Sequence, residues 1–454
     1  MAVRTMGAVG RGARLLSVLG AFGLVLAFGK VHAAYIADPV YDFTGSSRFA
    51  WSLGYIVLLW VASYGMGLPE LPRTWRQALV AAATASALAA LGVSLIQLVV
   101  GDALLPRFVV FGAALALVVW QVAVNGLARR GRSRDEDRDR VVLVGNDREA
   151  ARLTIDLSIA PERHAVLACS LTATAARGDG LASKPLIEAV LAERATVIVI
   201  DRLSQADDLV VNQAAALHES GIRVRTLLQF YEEWLGKLPV SELERASLFF
   251  DIGEVHRVRY GRLRRLIDLV LGVVGLVPLV IVVPFVVVAN LVASRGPLLY
   301  SQDRVGKGGE VFRILKLRTM RPSAPGVLAN EWTTENDPRI TPVGRLLRVT
   351  HLDELPQVVN ILRGELSVVG PRPEQPRYVA ELSESLAFYN LRHLVRPGLT
   401  GWAQVKYGYA GDESDALEKL QYEFFYLRHQ DLVFDLRVIG RTIRSVVGSQ
   451  GRGR

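Results

Sequence analysis

An integral membrane protein in three parts is the fold class this sequence predicts. It comprises four N-terminal transmembrane helices, a central Rossmann-like α/β domain, and a C-terminal mixed α/β domain with a re-entrant membrane helix. Three observations predict it. Hydrophobic residues make up 51% of the 454 and charged residues only 21%, and the mean hydropathy is +0.28. Strand-like and helix-like segments alternate between 141 and 227. A second apolar stretch, 266–293, is flanked by basic residues on both sides. The length exceeds one ordinary domain. The expected parts are a four-helix unit at 1–128, a charged linker at 129–140, an α/β domain at 141–255 and a last domain at 256–454.

The first part contains apolar segments at 14–28, 49–68, 77–100 and 108–128, the last three near the ~20 residues needed to cross a bilayer. The first is short and follows Arg4, Arg11 and Arg14, as in a signal peptide. Lys30 and His32 then replace a small-residue cleavage site, so it reads as a signal anchor. Arg4, Arg11 and Arg14, then Arg73 and Arg76, then Arg129, Arg130, Arg132 and Arg134 flank the spans on one side. Only Lys30, Arg48 and Arg107 lie on the other. The positive-inside rule places both ends of this unit in the cytoplasm. No span carries a charge at its middle, which argues against a transport pathway.

In the second part, Val141–Gly145 reads as a buried strand. A helix at 148–159, a strand at 165–171, a helix at 184–194, a strand at 196–200, a helix at 206–219 and a strand at 223–227 follow. Such alternation predicts a parallel sheet covered on both faces. Gly145-Asn146-Asp147 sits where a dinucleotide-binding glycine loop would sit, but the full G-x-G-x-x-G is missing, and so is the acid expected ~20 residues later. A regulatory, assembly or stabilising module is the preferred reading.

The third part begins with the second apolar stretch. Arg257, Arg259, Arg262, Arg264 and Arg265 precede it, and Arg295, Arg304, Lys307, Arg313 and Lys316 follow it. Both flanks therefore prefer the cytoplasm, while Pro278 and Pro284 each remove a helix hydrogen bond inside it. A helix-break-helix that enters one leaflet and returns satisfies both facts, provided the freed backbone groups find partners. Whatever follows would then lie at the membrane surface.

The net charge of +9 rests mostly on arginine. In so apolar a chain it points to cytoplasmic loops, anionic lipid or an anionic substrate, and argues against nucleic acid. The single cysteine, Cys169, excludes an intramolecular disulfide framework. The seven histidines show no HExxH-like spacing, which argues against zinc.

Asp353 and Glu354 are the densest candidate for chemistry. Their carboxylates suit a nucleophile, a general base or metal ligands. They equally suit plain helix-start acids, since Thr350-x-x-Asp353 has capping-box spacing. Leu352, Leu355, Val358, Val359 and Leu362 recur at helical spacing and Gly364 supplies a stop, so a helix is expected to begin near Leu352 or Asp353. Nearby cations favour a phosphate ligand there. Arg345 and Arg348 lie just upstream, Lys316 and Arg318 share a face if they are on a strand, and Arg372 is held between Pro371 and Pro373. The tail at 431–447 reads either as an interfacial helix or as core packing.

The blocks Gln302-Asp-Arg-Val-Gly306, Phe312–Met320, Leu352-Asp-Glu-Leu-Pro-Gln357, Ser367-Val-Val-Gly-Pro-Arg-Pro373 and Arg396–Val405 resemble the bacterial sugar transferases. These are monotopic polyprenyl-phosphate sugar-1-phosphate transferases that start exopolysaccharide and O-antigen assembly. The resemblance covers about 260–447, and the preceding parts resemble the long members of the family. It implies a monotopic catalytic domain with Asp353 as the nucleophile on a UDP-sugar and Glu354 as its partner. It also implies Mg²⁺ at these two carboxylates, UMP release, and transfer to undecaprenyl phosphate through a phosphosugar-aspartyl intermediate. Lys316, Arg318, Arg348, Arg372, Arg396 and Gln404 form the implied phosphate and substrate set, with Trp402 either at the pocket or in the core. UDP-glucose or UDP-galactose are the implied donors, and the cytoplasmic face of a bacterial inner membrane the implied location. A homo-oligomer is compatible with this reading. The hairpin's usual Ser-Pro break is absent, since valines precede both prolines. The rival from another class is a non-catalytic membrane scaffold or sensor for polysaccharide assembly.

Overall fold

The computed structural model describes residues 8–69, 72, 74–100, 104–130, 139–159, 162–178, 183–240, 257–293, 296–321, 339–407 and 413–447. Most of the linker 129–140, the junction 241–256, and Arg4, Arg73, Arg132 and Arg134 lie outside these residues. The chain divides into two compact units. One holds residues 132–254 with 412–429; the other holds 5–131, 255–411 and 430–454.

The second of these units begins with four helices, α1 (Ala8–Val31), α2 (Ser47–Gly65), α3 (Trp75–Val100) and α4 (Arg107–Arg130). They overlap the four apolar segments of the sequence. Three contain stretches long and apolar enough to cross a membrane, Gly12–Ile36, Trp75–Leu98 and Arg107–Arg129. The 19 residues of α2 give a helix of ~28 Å, close to a ~30 Å hydrocarbon core. Ala81, Ala82, Ala85 and Ala89 of α3 are buried in the bundle core, where small side chains let helices approach closely. Polar groups inside it find partners: Ser17 and Gln121 hydrogen-bond to each other, and the Asn125 side-chain amide donates to the Pro69 carbonyl at 2.6 Å, while its Oδ1 has no partner among the described residues.

The central unit contains β1 (Asp139–Val144), α5 (Asp147–Ile159), β2 (Ala165–Leu171), α6 (Ala173–Arg177), α7 (Pro185–Ala192), β3 (Val197–Ile200), α8 (Asp208–Glu219), β4 (Arg223–Thr226) and α9 (Leu227–Phe230). The strands form a parallel sheet in the order β2-β1-β3-β4. Side chains alternate across a strand, so Val141 and Leu143 pack with Leu153, Phe230 and Trp234 on one face. Val142 and Val144 pack with Leu186, Val210 and Leu217 on the other.

The sheet changes direction between β1 and β3, where open α/β sheets commonly bind ligands. Here the chain's own residues occupy that place. Asn146 caps α5 by accepting from the Glu149 N–H, and Glu149 accepts from the Asn146 N–H. The Glu149 carboxyl also hydrogen-bonds to Asp201, and burial together with Asp201 raises its pKa.

This unit includes a helix that the sequence places in the last domain. The Gln421 carbonyl of that helix, Glu413–His429, accepts from the Leu238 N–H at 3.1 Å. Lys237, 1% exposed, lies 2.8 Å from Asp156 and also pairs with Glu418 of the helix.

After residue 256 the other unit resumes with α10 (Arg257–Ala293), β5 (Leu299–Val305), β6 (Val311–Leu317), α11 (Pro342–Val349), a 3₁₀ turn at Leu352–Glu354 and α12 (Gln357–Arg363). β7 (Ser367–Val369), α13 (Pro376–Ser385), β8 (Gly398–Thr400) and α14 (Trp402–Lys406) follow; α15 is the helix Glu413–His429 of the central unit, and α16 (Leu432–Val447) completes the chain. β5 and β6 form an antiparallel hairpin, and β7 runs parallel to β8.

α10 is assigned as one helix of 37 residues with Pro278 and Pro284 inside it. Both halves of it touch the domain that follows. Asp268 accepts from Ser367 Oγ and the Val368 N–H, each at 2.9 Å. Gly272 and Gly275 lie against Leu362 and Val358 of α12. Val282, between the prolines, and Val286, beyond them, pack with Leu317, Leu347 and Leu352.

α16 adopts the core-packing reading of the tail. Val438 is fully buried, Phe434 meets Trp402 edge-on at 4.9 Å, and Gly440 crosses α2 at Gly65. A methyl group on Gly440 would come within 2.9 Å of the Gly65 Cα, so the two backbones touch.

Candidate active site

The acidic pair does not open a long helix. His351 takes the left-handed conformation, and Leu352–Glu354 form a 3₁₀ turn. α12 starts only at Gln357, behind Pro356. The expected capping box is not formed: Thr350 ends α11, and its hydroxyl donates back to the Leu346 carbonyl at 2.7 Å. The turn is fixed from below. Leu352 sits in the apolar cluster with Val282 and Val286 of α10. The buried Asn360 of α12 accepts from the Leu315 N–H at 3.0 Å and donates to the Arg313 carbonyl at 2.8 Å. β6, which carries Lys316, is thereby held against the segment that carries the acids.

Lys316 Nζ lies 2.6 Å from Glu354 Oε1. Burial works to raise the Glu354 pKa, but Lys316, Arg372 and His351 outweigh it and hold the carboxyl below its ordinary value. Asp353 behaves in the opposite way. It is 9% exposed, and burial, with Glu354 adding to it, raises its pKa against the pull of Lys316 and Arg348. Among the described residues no hydrogen-bond donor reaches the Asp353 carboxylate. Arg348 is anchored by Thr319 Oγ1 at 3.0 Å and Met320 sulfur at 3.2 Å. Its buried Nη1 has no partner among the described residues. A desolvated carboxylate beside two cations, one with a spare donor, has the chemistry to accept a phosphoryl group or to help hold a divalent ion.

The structure brings Lys316, Arg348 and Arg372 to the acidic pair and places the remaining predicted residues elsewhere. Arg318 follows the end of β6 and donates to Asn290 Oδ1 at 2.8 Å, near the end of α10. Arg396 donates to the Gly364 carbonyl at 2.8 Å, while Arg265 donates to the Ile361 and Leu362 carbonyls. Together they satisfy the carbonyls at the end of α12, where cations are favoured. Gln404 lies beside Gly401, which abuts Gly370; its buried Oε1 has no partner among the described residues. Trp402 is 2% exposed and packs in the core. Pro278 and Pro284 lie within α10.

Sequence reasoning missed the parts of Asn360 and Asp268, and read Arg265 only as a flanking charge, whereas it holds the end of α12. Asn360 and Asp268 are polar positions within otherwise apolar helical patterns, and such positions call for buried partners.

Among the described residues no three His, Cys, Asp or Glu side chains converge as a metal cluster. Mg²⁺ does not require one, because it takes one or two carboxylates and fills its shell from phosphate and water. Asp353 and the second oxygen of Glu354 fit that role.

Residues 259–449 match the family model described as "Bacterial sugar transferase". Over 158 residues the chain is 41% identical to the UDP-N-acetylgalactosamine-undecaprenyl-phosphate N-acetylgalactosaminephosphotransferase of Aeromonas hydrophila, covering 35% of this chain and 37% of that protein. It is 37% identical to the UDP-glucose:undecaprenyl-phosphate glucose-1-phosphate transferase of Escherichia coli (strain K12), covering 40% of this chain and 39% of that one. The matched region thus spans less than half the length of these two relatives. It is also 36% identical to the exopolysaccharide production protein PSS of Rhizobium leguminosarum bv. phaseoli, over 42% of this chain and 98% of that protein. On this match and the family model, the chain belongs to the bacterial sugar transferase family.

Proposed function

We propose that this protein transfers a sugar-1-phosphate from a UDP-sugar to undecaprenyl phosphate in two steps through Asp353, and so starts a glycan at the membrane. The observation that carries the reading is the Asp353 carboxylate itself, nearly buried, without a hydrogen-bond donor among the described residues, and within the electrostatic reach of Lys316 and Arg348. In the first step an Asp353 oxygen attacks the β-phosphorus. The bond from that phosphorus to the bridging oxygen breaks, and UMP leaves with the electron pair. In the second step a phosphate oxygen of the lipid attacks the same phosphorus and the carboxylate departs. Lys316, Arg348 and Arg372 stabilise the phosphoryl oxygens as charge develops, and Glu354 holds Lys316 in place. When bound, Mg²⁺ would further neutralise the diphosphate.

The donor class is a UDP-hexose or UDP-N-acetylhexosamine, on the strength of the relatives' names. A re-entrant course for α10 is supported by its contacts. Residues 264 and 290 lie 26 positions apart, ~39 Å on a straight helix, yet both ends and the middle pack on one domain built of strands and short helices. Strand edges and loops of that kind do not occur in contact with hydrocarbon. Basic flanks on both sides favour the cytoplasmic face of the inner membrane. The parallel sheet of the central unit supports a Rossmann-like reading, with its switch point closed by Glu149.

The test is a panel of UDP-glucose, UDP-galactose and UDP-N-acetylgalactosamine, followed by UMP release with and without undecaprenyl phosphate. UMP formed before lipid is added supports the two-step reading. Release that strictly requires the lipid favours direct transfer, and no release from any donor favours the scaffold.

A further inference from the structure

Arg372 reaches the acidic pair from a loop, between β7 and α13. Prolines on either side fix two φ angles and restrict the residues before them, yet that alone does not place a loop in space. Here four successive carbonyls are each held by a donor from outside the loop. The Pro371 carbonyl accepts from the Gly398 N–H at 2.8 Å and the Glu374 carbonyl from the Val305 N–H at 2.9 Å. The two between them take guanidinium groups. Arg392 Nη2 donates to the Arg372 carbonyl at 2.7 Å, and Arg304 Nη1 to the Pro373 carbonyl at 3.0 Å.

Both guanidiniums are themselves anchored. Arg392, 4% exposed, donates to Tyr389 Oη at 3.1 Å and lies 5.1 Å from the centre of that ring. Arg304 donates to Gln302 Oε1 at 2.8 Å and sits 3.7 Å from the Glu374 carboxylate. Two cations behind a third are electrostatically unfavourable, and the proximity of Arg372 contributes to lowering the Arg304 pKa, after burial. Neutral donors would hold the same carbonyls without that repulsion.

We propose that Arg304 and Arg392 are positioning residues for Arg372. They clamp the backbone of its loop from two sides, so that the Arg372 guanidinium is presented beside Glu354 to a phosphoryl group of the substrate. The proposal rests on the phosphoryl-transfer reading of the site for its catalytic consequence, but not for the clamp.

The test pairs a catalytic cycle with a readout independent of catalysis. Arg304→Gln and Arg392→Gln are each made in the wild-type and the Arg372→Ala backgrounds, with Arg304→Lys as a milder variant where Gln impairs folding. In the wild-type background each Gln variant is expected to lower kcat/KM for UMP release ~10–100-fold, as for misplacement of a positioned group. In the Arg372→Ala background the further loss is expected to stay below ~3-fold. Hydrogen exchange at the Gly370, Gly398 and Val305 amides, the first following the strand before the loop and the other two donating to the loop's own carbonyls, is expected to rise ~10-fold in the Gln variants, with α12 unchanged. Losses that multiply in full in the Arg372→Ala background, or unchanged exchange at those amides, overturn the clamp. A wild-type protein that releases no UMP counts against the functional reading, while the exchange data still decide the clamp.

Discussion

Two pairs of acids in this molecule invite the same first guess. Glu149 and Asp201 meet at the switch point of the central sheet, where a phosphate-binding loop would be expected. Asp353 and Glu354 sit on a 3₁₀ turn that shows no special fold signature. The first pair is closed upon itself: Glu149 bonds to Asp201 and to the Asn146 N–H, and no cation figures among the causes of its shift. The second pair is open, with Lys316, Arg348 and Arg372 around it. A third arrangement lies between them: Asp156 and Glu418 close on Lys237, which is buried and committed. Acids alone therefore do not make a site. Several cations gathered around a carboxylate that they do not close upon are what set the second pair apart.

Substitutions can break this contrast. Asp353→Asn carries the largest expected effect. UMP release should fall by at least ~10⁴-fold, the scale on which removal of a nucleophile acts. The same change removes a buried charge that no donor among the described residues satisfies, so the thermal midpoint should rise or hold. Retained turnover, or a collapse in stability, would contradict the assignment. Next comes Lys237→Met, which strands two acids and should destabilise the central unit by ~3–5 kcal/mol, measured by denaturant unfolding. A neutral result would mean that Asp156 and Glu418 are not held by Lys237. Lys316→Met should reduce UMP release by ~10²–10³-fold, with unfolding affected less than in the Lys237 variant. Equal effects on stability and rate would erase the distinction between the two lysines.

Glu149→Gln is the smallest, within ~1 kcal/mol and without effect on transfer. Its sign depends on pH. The folded-state pKa of Glu149 is raised, so its contribution is fully present below the unfolded value of ~4.3 and is lost as pH rises through the folded value. The stability of the Gln variant relative to wild type should therefore improve as pH rises through that window. Unfolding midpoints at pH 4 and at pH 7 check this, and a relative loss at pH 7 would reverse the picture.

Much of this architecture was legible from the sequence because long apolar segments and alternating strands follow simple periods. The N-terminal helices and β1 to β4 lie close to where hydropathy and alternation put them. The acidic pair and three of its cations were legible from motif blocks. The 3₁₀ turn was not, since the left-handed His351 that separates α11 from it has no side-chain signature. Arg396 was assigned to substrate on its motif, whereas its guanidinium caps α12, and only the fold brings residue 396 to residue 364. The helix Glu413–His429 joins the central unit through Lys237, a contact 181 positions away in sequence. Local patterns do not encode such long-range pairings.

The central claim is that a cation-flanked, desolvated Asp353 forms a bond to phosphorus. The direct measurement incubates the purified full chain with a UDP-sugar labelled in the β-phosphate, without lipid acceptor, then quenches it in acid and maps the label by peptide mass. Label on the peptide bearing Asp353, discharged when undecaprenyl phosphate is added before the quench, is the predicted result. An unlabelled protein that still completes transfer once lipid is present would contradict the account.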